Sequence, residues 1–413
     1  MALLIQKFGG SSVANLERLQ AVARIIINTK EQGHQVVIVV SAMYGETDQL
    51  LQLSQRLNPK ASKRDYDVLL ASGEQKSSAL LAMALQGMGH DAVSLLGWQL
   101  KVLTNDSHSK ARIQQIDCDL LNQYLLAGTI PIVAGFQGVS NRGEITTLGR
   151  GGSDTSAVAI AAAMRADECL IYTDVDGVYT SDPRVVPKAR RISQLTYEAM
   201  LEMASLGAKV LQIRAVEFAS KYAVPIRVLS SYSKGEGTLI TEEQSVEQPL
   251  VSGVAFDRHQ ARITITGIPV RYLSVSTILQ ALSDANIHVD MIIQNASQVD
   301  TVIDFSFTVQ SDDYLEAKAI ANHLQQKLSA SAVIASDKVA KLSLIGVGLR
   351  NHANVGAMMF SALESENIPV FMISTSEIKI SALIDEACLE QGARVLHSKF
   401  GLDLEPNQAI NII

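Results

Sequence analysis

Hydrophobic positions in about the first 240 residues alternate between short apolar runs and longer stretches with helical periodicity. The apolar runs predict strands at Leu3–Lys7, Val36–Ser41, Ala92–Leu96, Ile130–Gly135, Glu168–Thr173 and Ile226–Leu229. The stretches between them predict helices at Asn15–Thr29, Gly73–Met88 and Asp154–Met164. Strands that are apolar throughout and are separated by helices are typical of a mostly parallel sheet with helices on both faces. This part of the chain is therefore predicted to be an α/β domain.

From about residue 250 the pattern changes and a sequence repeat appears. Matching pairs recur in the same order in the two copies: Gly267-Ile268 with Gly346-Val347, Ala281-Leu282 with Ala362-Leu363, and Met291-Ile292 with Met372-Ile373. Each copy predicts strand, loop, helix, strand, strand, helix, which is a small α+β unit. The second copy nearly reaches the end of the chain after its second predicted helix, Asp385–Lys399, so one edge strand is missing. That strand comes either from Val251–Asp257 or from Ala409–Ile413.

The composition is that of a globular protein, with 47% hydrophobic and 19% charged residues in 413 and a net charge of −7. An acidic chain without a basic cluster argues against nucleic acid and anionic membranes as partners. No apolar run approaches the ~20 residues needed to span a bilayer. Three scattered cysteines, Cys118, Cys169 and Cys388, are typical of a reducing compartment and do not have metal-ligand spacing. We therefore expect a cytoplasmic protein.

Two glycine-rich segments carry the strongest chemical signal: K-F-G-G-S-S at residues 7–12 and L-G-R-G-G-S-D-T at residues 148–155. Each combines glycines, hydroxyls and a cation, and each lies between a predicted strand and a helix. Glycine lets backbone N–H groups approach an oxyanion, and a helix N-terminus attracts negative charge. Neither segment fits the Walker pattern or the dinucleotide pattern. The two segments predict a phosphate site of another kind, at the strand ends where open α/β sheets bind ligands.

Four further polar clusters are predicted at strand ends or next to helices: 41–47, 72–74, 172–184 and 207–209. The middle two read S-G-E, predicted to open a helix, and Y-T-D-V-D-G-V-Y-T-S-D-P-R. The cations suited to neutralising a triphosphate and a second anion are Lys7, Arg150, Arg184 and Lys209. The carboxylates suited to orienting Mg²⁺ or nucleotide hydroxyls are Asp154, Asp174 and Asp182.

Each cluster taken alone has a simpler interpretation. Gly-Gly-Ser and Asp-Gly sequences usually form turns. Glu74 alone would be a solvated residue or the partner in a capping box, and Lys209 would be a surface lysine. Because the clusters coincide at the strand ends of one sheet, the joint functional interpretation is favoured over separate turns.

Together, these motifs resemble the amino acid kinase family and, within it, the aspartokinases. The resemblance continues into the repeat, which is similar to paired ACT domains and includes M-I-S-T-S-E-I-K-I-S at residues 372–381. It implies a kinase domain at 1–245 of three-layer α/β type. It also implies two ferredoxin-like α+β ACT domains at 250–338 and 339–413, with the strand at 251–257 shared with the second.

The implied activity is transfer of the ATP γ-phosphoryl group to the side-chain carboxylate of L-aspartate, with Mg²⁺ accompanying the nucleotide. Catalytic roles are implied for Lys7, Arg150 and Asp154. The implied ATP-binding residues are Lys7, Gly9, Gly10, Ser11, Thr173, Asp174, Tyr179, Asp182, Arg184 and Lys209. The implied aspartate-binding residues are Ser41, Thr47, Glu74, Arg150, Gly151 and Ser153. No protein side chain is assigned as a metal ligand.

The resemblance also implies feedback control by lysine or threonine and a homo-oligomer built through the ACT domains. The implied effector residues are Val289, Asp290, Gln294, Asn354, Val355, Gly356, Val370 and Ser376. The first ACT copy has V-R-Y-L at residues 270–273, where the family usually has Asp-x-Pro-Gly. Because the acid and the glycine are lost, we expect a weak or absent response to one effector, with threonine as our guess.

Two other functions are compatible with parts of this pattern. The first is a catalytically silent ACT-type amino-acid sensor that regulates a partner kinase. The second is a kinase for another small carboxylate. The intact Lys7, Glu74, Arg150 and Asp174 argue against the sensor, which has no need of them. Glu74 together with Arg150 argues for an amino-acid substrate that carries both an ammonium and a carboxylate.

Overall fold

The computed structural model describes residues 1–207, 210–242, 250–270, 274–296 and 302–404. These residues form two compact units, one from 1–178 and 191–242 and the other from 179–190 and the described residues beyond 250. Within the described ranges, no helix is long and apolar enough to cross a membrane.

The first unit alternates strands and helices, as the hydrophobic pattern predicts. Its elements are β1 (Leu3–Phe8), α1 (Leu16–Glu31), β2 (Gln35–Val40), α2 (Glu46–Leu57), α3 (Lys63–Gly87), β3 (Ala92–Leu95), β4 (Leu103–Thr104), β5 (Ile113–Gln115), α4 (Asp119–Leu126), β6 (Ile130–Ala134), β7 (Gln137–Ser140), β8 (Ile145–Thr147), α5 (Gly152–Met164), β9 (Glu168–Thr173), β10 (Gln194–Thr196), α6 (Tyr197–Ser205), α7 (Ile213–Tyr222), β11 (Ile226–Ser230) and β12 (Thr238–Thr241).

In the described residues, the main sheet of this unit has eight strands in the order β10-β12-β11-β9-β1-β2-β6-β3. Neighbouring strands are parallel except for β11 and β12. β1 lies between β2 and β9, so the carboxyl ends of these three strands meet at one edge of the sheet. Side chains alternate along β1. Phe8 therefore packs into the core formed with α1 and α3, while Lys7 points to the other face, where α5 begins.

Helix α3 differs from its prediction. Its cap is Ser62, whose side chain accepts a hydrogen bond from the Asp65 N–H, and the helix runs from Lys63 to Gly87. The predicted helix start at Gly73 is therefore wrong. A Cβ at Gly73 would lie 2.8 Å from the Ala42 Cβ, so the glycine is needed for close packing in the middle of the helix.

A second, smaller sheet, β5-β4-β7-β8, and helix α2 were not predicted. The strands of this sheet are two to four residues long, which is too short for a periodic hydrophobic signal. The sheet matters because β8 leads directly into the second glycine-rich segment.

The second unit contains both copies of the repeat. Its elements are β13 (Gly253–Pro269), α8 (Ser274–Asp284), β14 (Val289–Ala296), β15 (Val302–Gln310), α9 (Tyr314–Lys327), β16 (Ala332–Ile345), α10 (Ala353–Ser365), β17 (Val370–Thr375), β18 (Lys379–Asp385) and α11 (Leu389–Lys399). In the described residues they form one six-stranded sheet in the order β14-β15-β13-β16-β18-β17.

The two copies share the long strands β13 and β16. Residues Gly253–Asp257 pair with Lys341–Ile345 in the second copy, whereas Gln260–Pro269 pair with β15 in the first. The missing edge strand is thus supplied from Val251–Asp257, the first of the two sources considered. The other source, Ala409–Ile413, lies outside the described residues. The predicted boundary between residues 338 and 339 falls inside β16, so the two halves are continuous there.

The segment 179–190 leaves the first unit and packs in the second. Val185 and Val186 are buried in the core of the second copy. The Thr180 hydroxyl lies 2.8 Å from the buried His397 Nε2 and accepts a hydrogen bond from the Arg190 N–H. The first compact unit therefore differs from the predicted domain 1–245 in this segment. The sequence interpretation took 172–184 as one polar cluster rich in turn formers and assigned no element to the two valines that follow it.

Candidate active site

One pocket of about 650 Å³ lies at the carboxyl ends of β1, β2 and β9. It brings together residues that are far apart in the sequence, from both glycine-rich segments, α3 and the loop after β2. The predicted site residues that line it are Lys7, Gly9, Gly10, Ser11, Ser41, Thr47, Glu74, Arg150, Gly151, Ser153, Asp154, Thr173 and Asp174. All of them belong to the first unit.

The central charges of the pocket are Lys7 and Asp154. The Lys7 Nζ lies 2.5 Å from the Asp154 Oδ1, and both side chains are nearly buried, with 10% and 11% of their surface exposed. Lys7 is the second-last residue of β1, and Asp154 is in the first turn of α5. The ion pair therefore holds the lysine ammonium at the floor of the pocket before any ligand binds.

The first glycine-rich turn presents open backbone donors. The Gly9 N–H donates to the Tyr172 carbonyl, and the N–H groups of Ser12 and Val13 donate to the Gly9 carbonyl. In the described part of the chain, no hydrogen bond engages the N–H groups of Gly10 or Ser11. Two neighbouring free N–H groups form a concave site for an anion such as a phosphate oxygen.

The second glycine-rich turn places a helix N-terminus at the same pocket. Gly151 caps α5 with φ 69°, and a Cβ there would lie 1.7 Å from the Gln212 Cγ, so only glycine fits. The cap has no side chain to accept from the first turn of the helix. The N–H groups of Gly152 and Asp154 donate to the carbonyls of Gly149 and Gly151. Among the described residues, the Ser153 N–H has no backbone partner, so it remains available to negative charge at the helix N-terminus.

Glu74 is a buried carboxylate with one open oxygen. Its Oε1 accepts a hydrogen bond from the Ala42 N–H at 2.9 Å, and its Oε2 is buried without a partner among the described residues. Burial raises the pKa of Glu74 to about 7, although the hydrogen bond from Ala42 and the charge of Lys7 act in the opposite direction. A carboxylate in this state is suited to receive a cationic group from a ligand.

Arg150 supplies the complementary charge. Its side chain is exposed in the pocket, and within the described residues it forms no ion pair. Its turn is held from outside, because Arg214 donates to the carbonyls of Leu148 and Ala111, each at 2.7 Å. An arginine that is free at its tip and fixed at its backbone is suited to bind a carboxylate.

Comparisons with known proteins give the same picture as the geometry. The model of the amino acid kinase family matches residues 2–230, and a model of the ACT domain matches residues 342–400. The aspartokinase of Pseudomonas aeruginosa is 53% identical over 411 residues, covering 99% of this chain and 100% of its own.

The chain belongs to the aspartokinase family.

Two solved structures of Escherichia coli aspartokinase III extend the comparison to three dimensions, each at 26% identity. The complex with aspartate and ADP, described as the R-state, has a TM-score of 0.77 and covers 97% of this chain and 99% of its own. The complex with lysine and aspartate, described as the T-state, has a TM-score of 0.76 and covers 96% and 99%. The predicted family, fold class and enzyme class are confirmed by these matches.

Three of the predicted ATP-binding residues that the structure describes do not line the pocket. Tyr179, Asp182 and Arg184 lie in the segment that packs in the second unit. There, Arg184 and Asp182 form an exposed ion pair at 2.7 Å, and hydrogen bonding to Arg184 lowers the pKa of Asp182. Lys209 lies outside the described residues.

The predicted effector residues lie in the second unit. Val289, Asp290 and Gln294 are on β14, and Val370 begins β17, so these two groups are on opposite edge strands of the sheet. Asp290 forms an ion pair with the buried Lys341. The remaining four residues are Asn354, Val355 and Gly356 in the first turn of α10, and Ser376 in the turn between β17 and β18. Of the loop at 270–273, only the exposed Val270 is described.

Several pocket residues were not predicted from the sequence. They include Tyr44, Tyr66, Ser109 and Thr147. Ser109 and Thr147 come from the small sheet and its loops, which had no sequence signal. A chemical motif could not have revealed them, because their position depends on long-range pairing.

Proposed function

We propose that this chain catalyses the ATP-dependent phosphorylation of the side-chain carboxylate of L-aspartate to 4-phospho-L-aspartate. This reaction is the first step toward lysine, threonine, methionine and diaminopimelate. The observation that carries the proposal is the content of one pocket: two anion-binding glycine turns with Lys7, beside a buried carboxylate and a free arginine. The first part handles phosphate, and the second part recognises the two charged groups of an amino acid.

The reaction needs little acid–base chemistry from the protein. The acceptor carboxylate is already ionised at neutral pH, so no general base has to remove a proton. Consistent with this, no histidine is among the described residues that line the pocket. The main barrier is the repulsion between two anions, which fixed positive charge and oriented dipoles reduce.

Lys7 is proposed to contact the phosphoryl group during transfer. Its ammonium is held by Asp154 and lies beside Gly9, and the free N–H groups of Gly10 and Ser11 in the same turn donate to phosphate oxygens. Because Asp154 fixes the lysine in advance, little rearrangement is needed when charge develops. Gly9, Gly10 and Ser11 are therefore proposed to bind the ATP phosphates together with Lys7.

Mg²⁺ is proposed to arrive with the nucleotide. In the part of the chain that the structure describes, no group of three or more His, Cys, Asp or Glu side chains could hold a metal ion. Mg²⁺ typically binds substrate phosphates and one or two carboxylates. The exposed Asp174 at the pocket suits that role, and the ion would offset the phosphate charge.

Aspartate is proposed to bind with its α-ammonium on Glu74 and its α-carboxylate on Arg150. The open Oε2 of Glu74 and the free guanidinium of Arg150 match these groups in charge. Ser41, Thr47, Gly151 and Ser153 complete the proposed substrate contacts. A molecule without the α-ammonium would leave the buried Glu74 unpaired, and one without the α-carboxylate would lose the contact with Arg150, so both are penalised in binding.

The other nucleotide contacts rest on the family resemblance. Thr173 and Asp174 line the pocket after β9 and are proposed to face the nucleotide. For Tyr179, Asp182, Arg184 and Lys209, the nucleotide role stays a prediction.

Regulation is proposed to act through the second unit. The lysine complex of the Escherichia coli relative supports lysine as an effector, with the eight predicted effector residues as the candidate contacts. Threonine is expected to act weakly or not at all, because of the altered loop at 270–273. A homo-oligomer through the ACT halves and a cytoplasmic location are part of the same proposal.

The test is a coupled assay of ADP release with L-aspartate, L-glutamate, N-acetyl-L-glutamate and UMP as acceptors. We expect turnover with L-aspartate and at least 10²-fold lower kcat/KM for the others. Turnover of glutamate without aspartate would reject the proposal. Lysine binding without any turnover would instead support the silent sensor.

A further inference from the structure

Helix α3 carries a second buried carboxylate that the proposed mechanism does not use. Asp67 is 0% exposed and lies seven residues before Glu74, which is two turns away along the helix. It is not among the residues that line the active-site pocket, and within the described residues it bears no ion pair with lysine or arginine. A fully buried carboxylate is costly unless its oxygens are satisfied, so its partners indicate what it holds.

Both oxygens of Asp67 accept hydrogen bonds from two distant segments. Oδ1 accepts from the Thr147 hydroxyl at 2.6 Å, and Oδ2 accepts from the Thr147 N–H at 3.1 Å. The Ser109 N–H donates to both oxygens at 3.0 Å. The His108 Nδ1 lies 2.8 Å from Oδ2, and the other side of that ring faces Glu144 at 3.5 Å.

These partners lead directly to Arg150. Thr147 is the last residue of β8 and stands three residues before Arg150. The Ala111 N–H donates to the Thr147 carbonyl, so the segment after Ser109 is tied to the same point. The turn that presents Arg150 is therefore anchored on its amino side by Asp67, and Arg214 holds Leu148, the next residue.

We propose that Asp67 is a positioning residue that fixes the Arg150 turn relative to Glu74, through its hydrogen bonds to Thr147 and Ser109. This inference rests on the proposed function, because Glu74 and Arg150 are taken there as the receptors of the α-ammonium and α-carboxylate. Helix α3 then sets the spacing between both receptors: Glu74 directly, and Arg150 through Asp67. Substrate selection depends on that spacing, since a displaced arginine cannot pair with the carboxylate while the ammonium stays on Glu74.

The alternative is that Asp67 only stabilises the fold. The two roles differ in what they predict for substrates. A structural role affects the whole unit, whereas a positioning role affects the recognition of the α-carboxylate and leaves ATP binding intact.

The test compares Asp67→Asn with wild type in the full-length chain. The amide keeps the size of the side chain but turns one acceptor into a donor, which opposes the N–H groups of Thr147 or Ser109. We expect the KM for L-aspartate to rise about tenfold or more, with the KM for ATP changed less than about twofold. The matched control is Glu168→Gln, which changes a carboxylate paired with Arg227 at 2.8 Å outside the pocket. It should leave both KM values unchanged.

A second readout uses L-aspartic acid α-amide, which keeps the acceptor carboxylate and the ammonium but has no α-carboxylate. Wild type should prefer L-aspartate over this amide by about 10²-fold or more in kcat/KM. In Asp67→Asn, the preference should shrink by about tenfold. An unchanged preference, or equal rises in both KM values, would overturn the positioning role.

Two further outcomes, an Asp67→Asn variant that does not fold and a wild type that is inactive on L-aspartate, each have their own interpretation. If Asp67→Asn does not fold, Thr147→Val removes only the 2.6 Å hydroxyl contact and should cause a smaller shift in the same direction. An unchanged aspartate KM and an unchanged preference in Thr147→Val would then overturn the inference. Failure of wild type to phosphorylate L-aspartate rejects the proposed function itself, independently of either variant.

Discussion

Glu74 in the pocket of the first unit and Thr180 in the core of the second unit are both buried polar residues, but their hydrogen bonding differs. In the pocket, Glu74 keeps one buried oxygen without a partner among the described residues. In the second unit, the buried Thr180 hydroxyl is near His397 and also accepts from Arg190. A buried polar group without a partner lowers the stability of the free protein but is available to bind a ligand. We call it an open group. A buried group whose partners lie within the protein, which we call a closed pair, contributes to stability alone. The open oxygen of Glu74 indicates a binding role because it faces a pocket that also holds Lys7 and Arg150.

The largest effect that the comparison predicts is at Lys7. Lys7→Ala removes the cation at the floor of the pocket and leaves Asp154 buried without its partner. We expect turnover to fall by about 10³-fold or more, because no other lysine lines the described pocket. Steady-state kinetics measure the loss, and circular dichroism checks that the fold is kept. The control is the exposed Lys221→Ala, which should retain wild-type turnover, and near-normal turnover of Lys7→Ala would refute the role.

A smaller, selective effect is expected at Glu74. Glu74→Gln keeps an acceptor for the Ala42 N–H but loses the charge that is proposed to receive the substrate ammonium. The KM for L-aspartate should rise about 10- to 100-fold, with little change for ATP, since charged hydrogen bonds are worth about 1.5–3 kcal/mol. Exposed Glu217→Gln is the control. Equal losses for both substrates would mean that Glu74 supports the fold and does not read the substrate.

The open carboxylate also predicts a pH dependence. Burial raises the pKa of Glu74 to about 7 from an ordinary 4.5. The folded protein then holds a proton that the unfolded chain releases, so its stability falls as the pH rises from about 4.5 to about 7. The loss is on the order of 3 kcal/mol at most. The free energy of unfolding can be measured in urea for the unliganded protein at pH 5 and pH 8. The free energy of Glu74→Gln minus that of wild type should be larger at pH 8 than at pH 5. A pH-independent difference would contradict this prediction.

The smallest effect is expected in the closed pair. Thr180→Val removes the contact with His397 and an acceptor for the Arg190 N–H. We expect a loss of about 1–2 kcal/mol in unfolding free energy, measured by chemical denaturation. Burial lowers the pKa of His397 to about 4, so the histidine is neutral at pH 7 and forms a neutral hydrogen bond. Exposed Thr375→Val should cost much less, and an equal loss in the two variants would show that the pair contributes nothing.

The sequence was informative where the signal is local. β9 was predicted with its observed bounds and β1 to within one residue, because each contains a short apolar run, residues 3–5 in β1 and 169–172 in β9. Strand ends then located Lys7 and Asp174, and glycines marked both anion-binding turns. Their shared edge followed from the parallel order of the sheet.

What the sequence did not predict depends on packing between distant segments. Glu74 was placed near the start of a helix, whereas the long helix α3 buries it far from its first turn. Asp67 carried no motif, because its hydrogen-bond partners come from segments more than 40 residues away. The departure of 179–190 into the second unit was also missed, since two valines within a polar stretch do not form a periodic pattern.

The shared strands of the second unit have a consequence for how it folds. β13 and β16 each run through both halves of the repeat, and their pairing shifts register between Asp257 and Arg262. In a strand, a slip by one residue turns every side chain to the opposite face. An error in either strand would therefore disturb two hydrophobic cores at once, and neither half can complete its sheet before the other. We therefore expect the duplicated halves to unfold as a single cooperative unit, although their sequences still show a repeat.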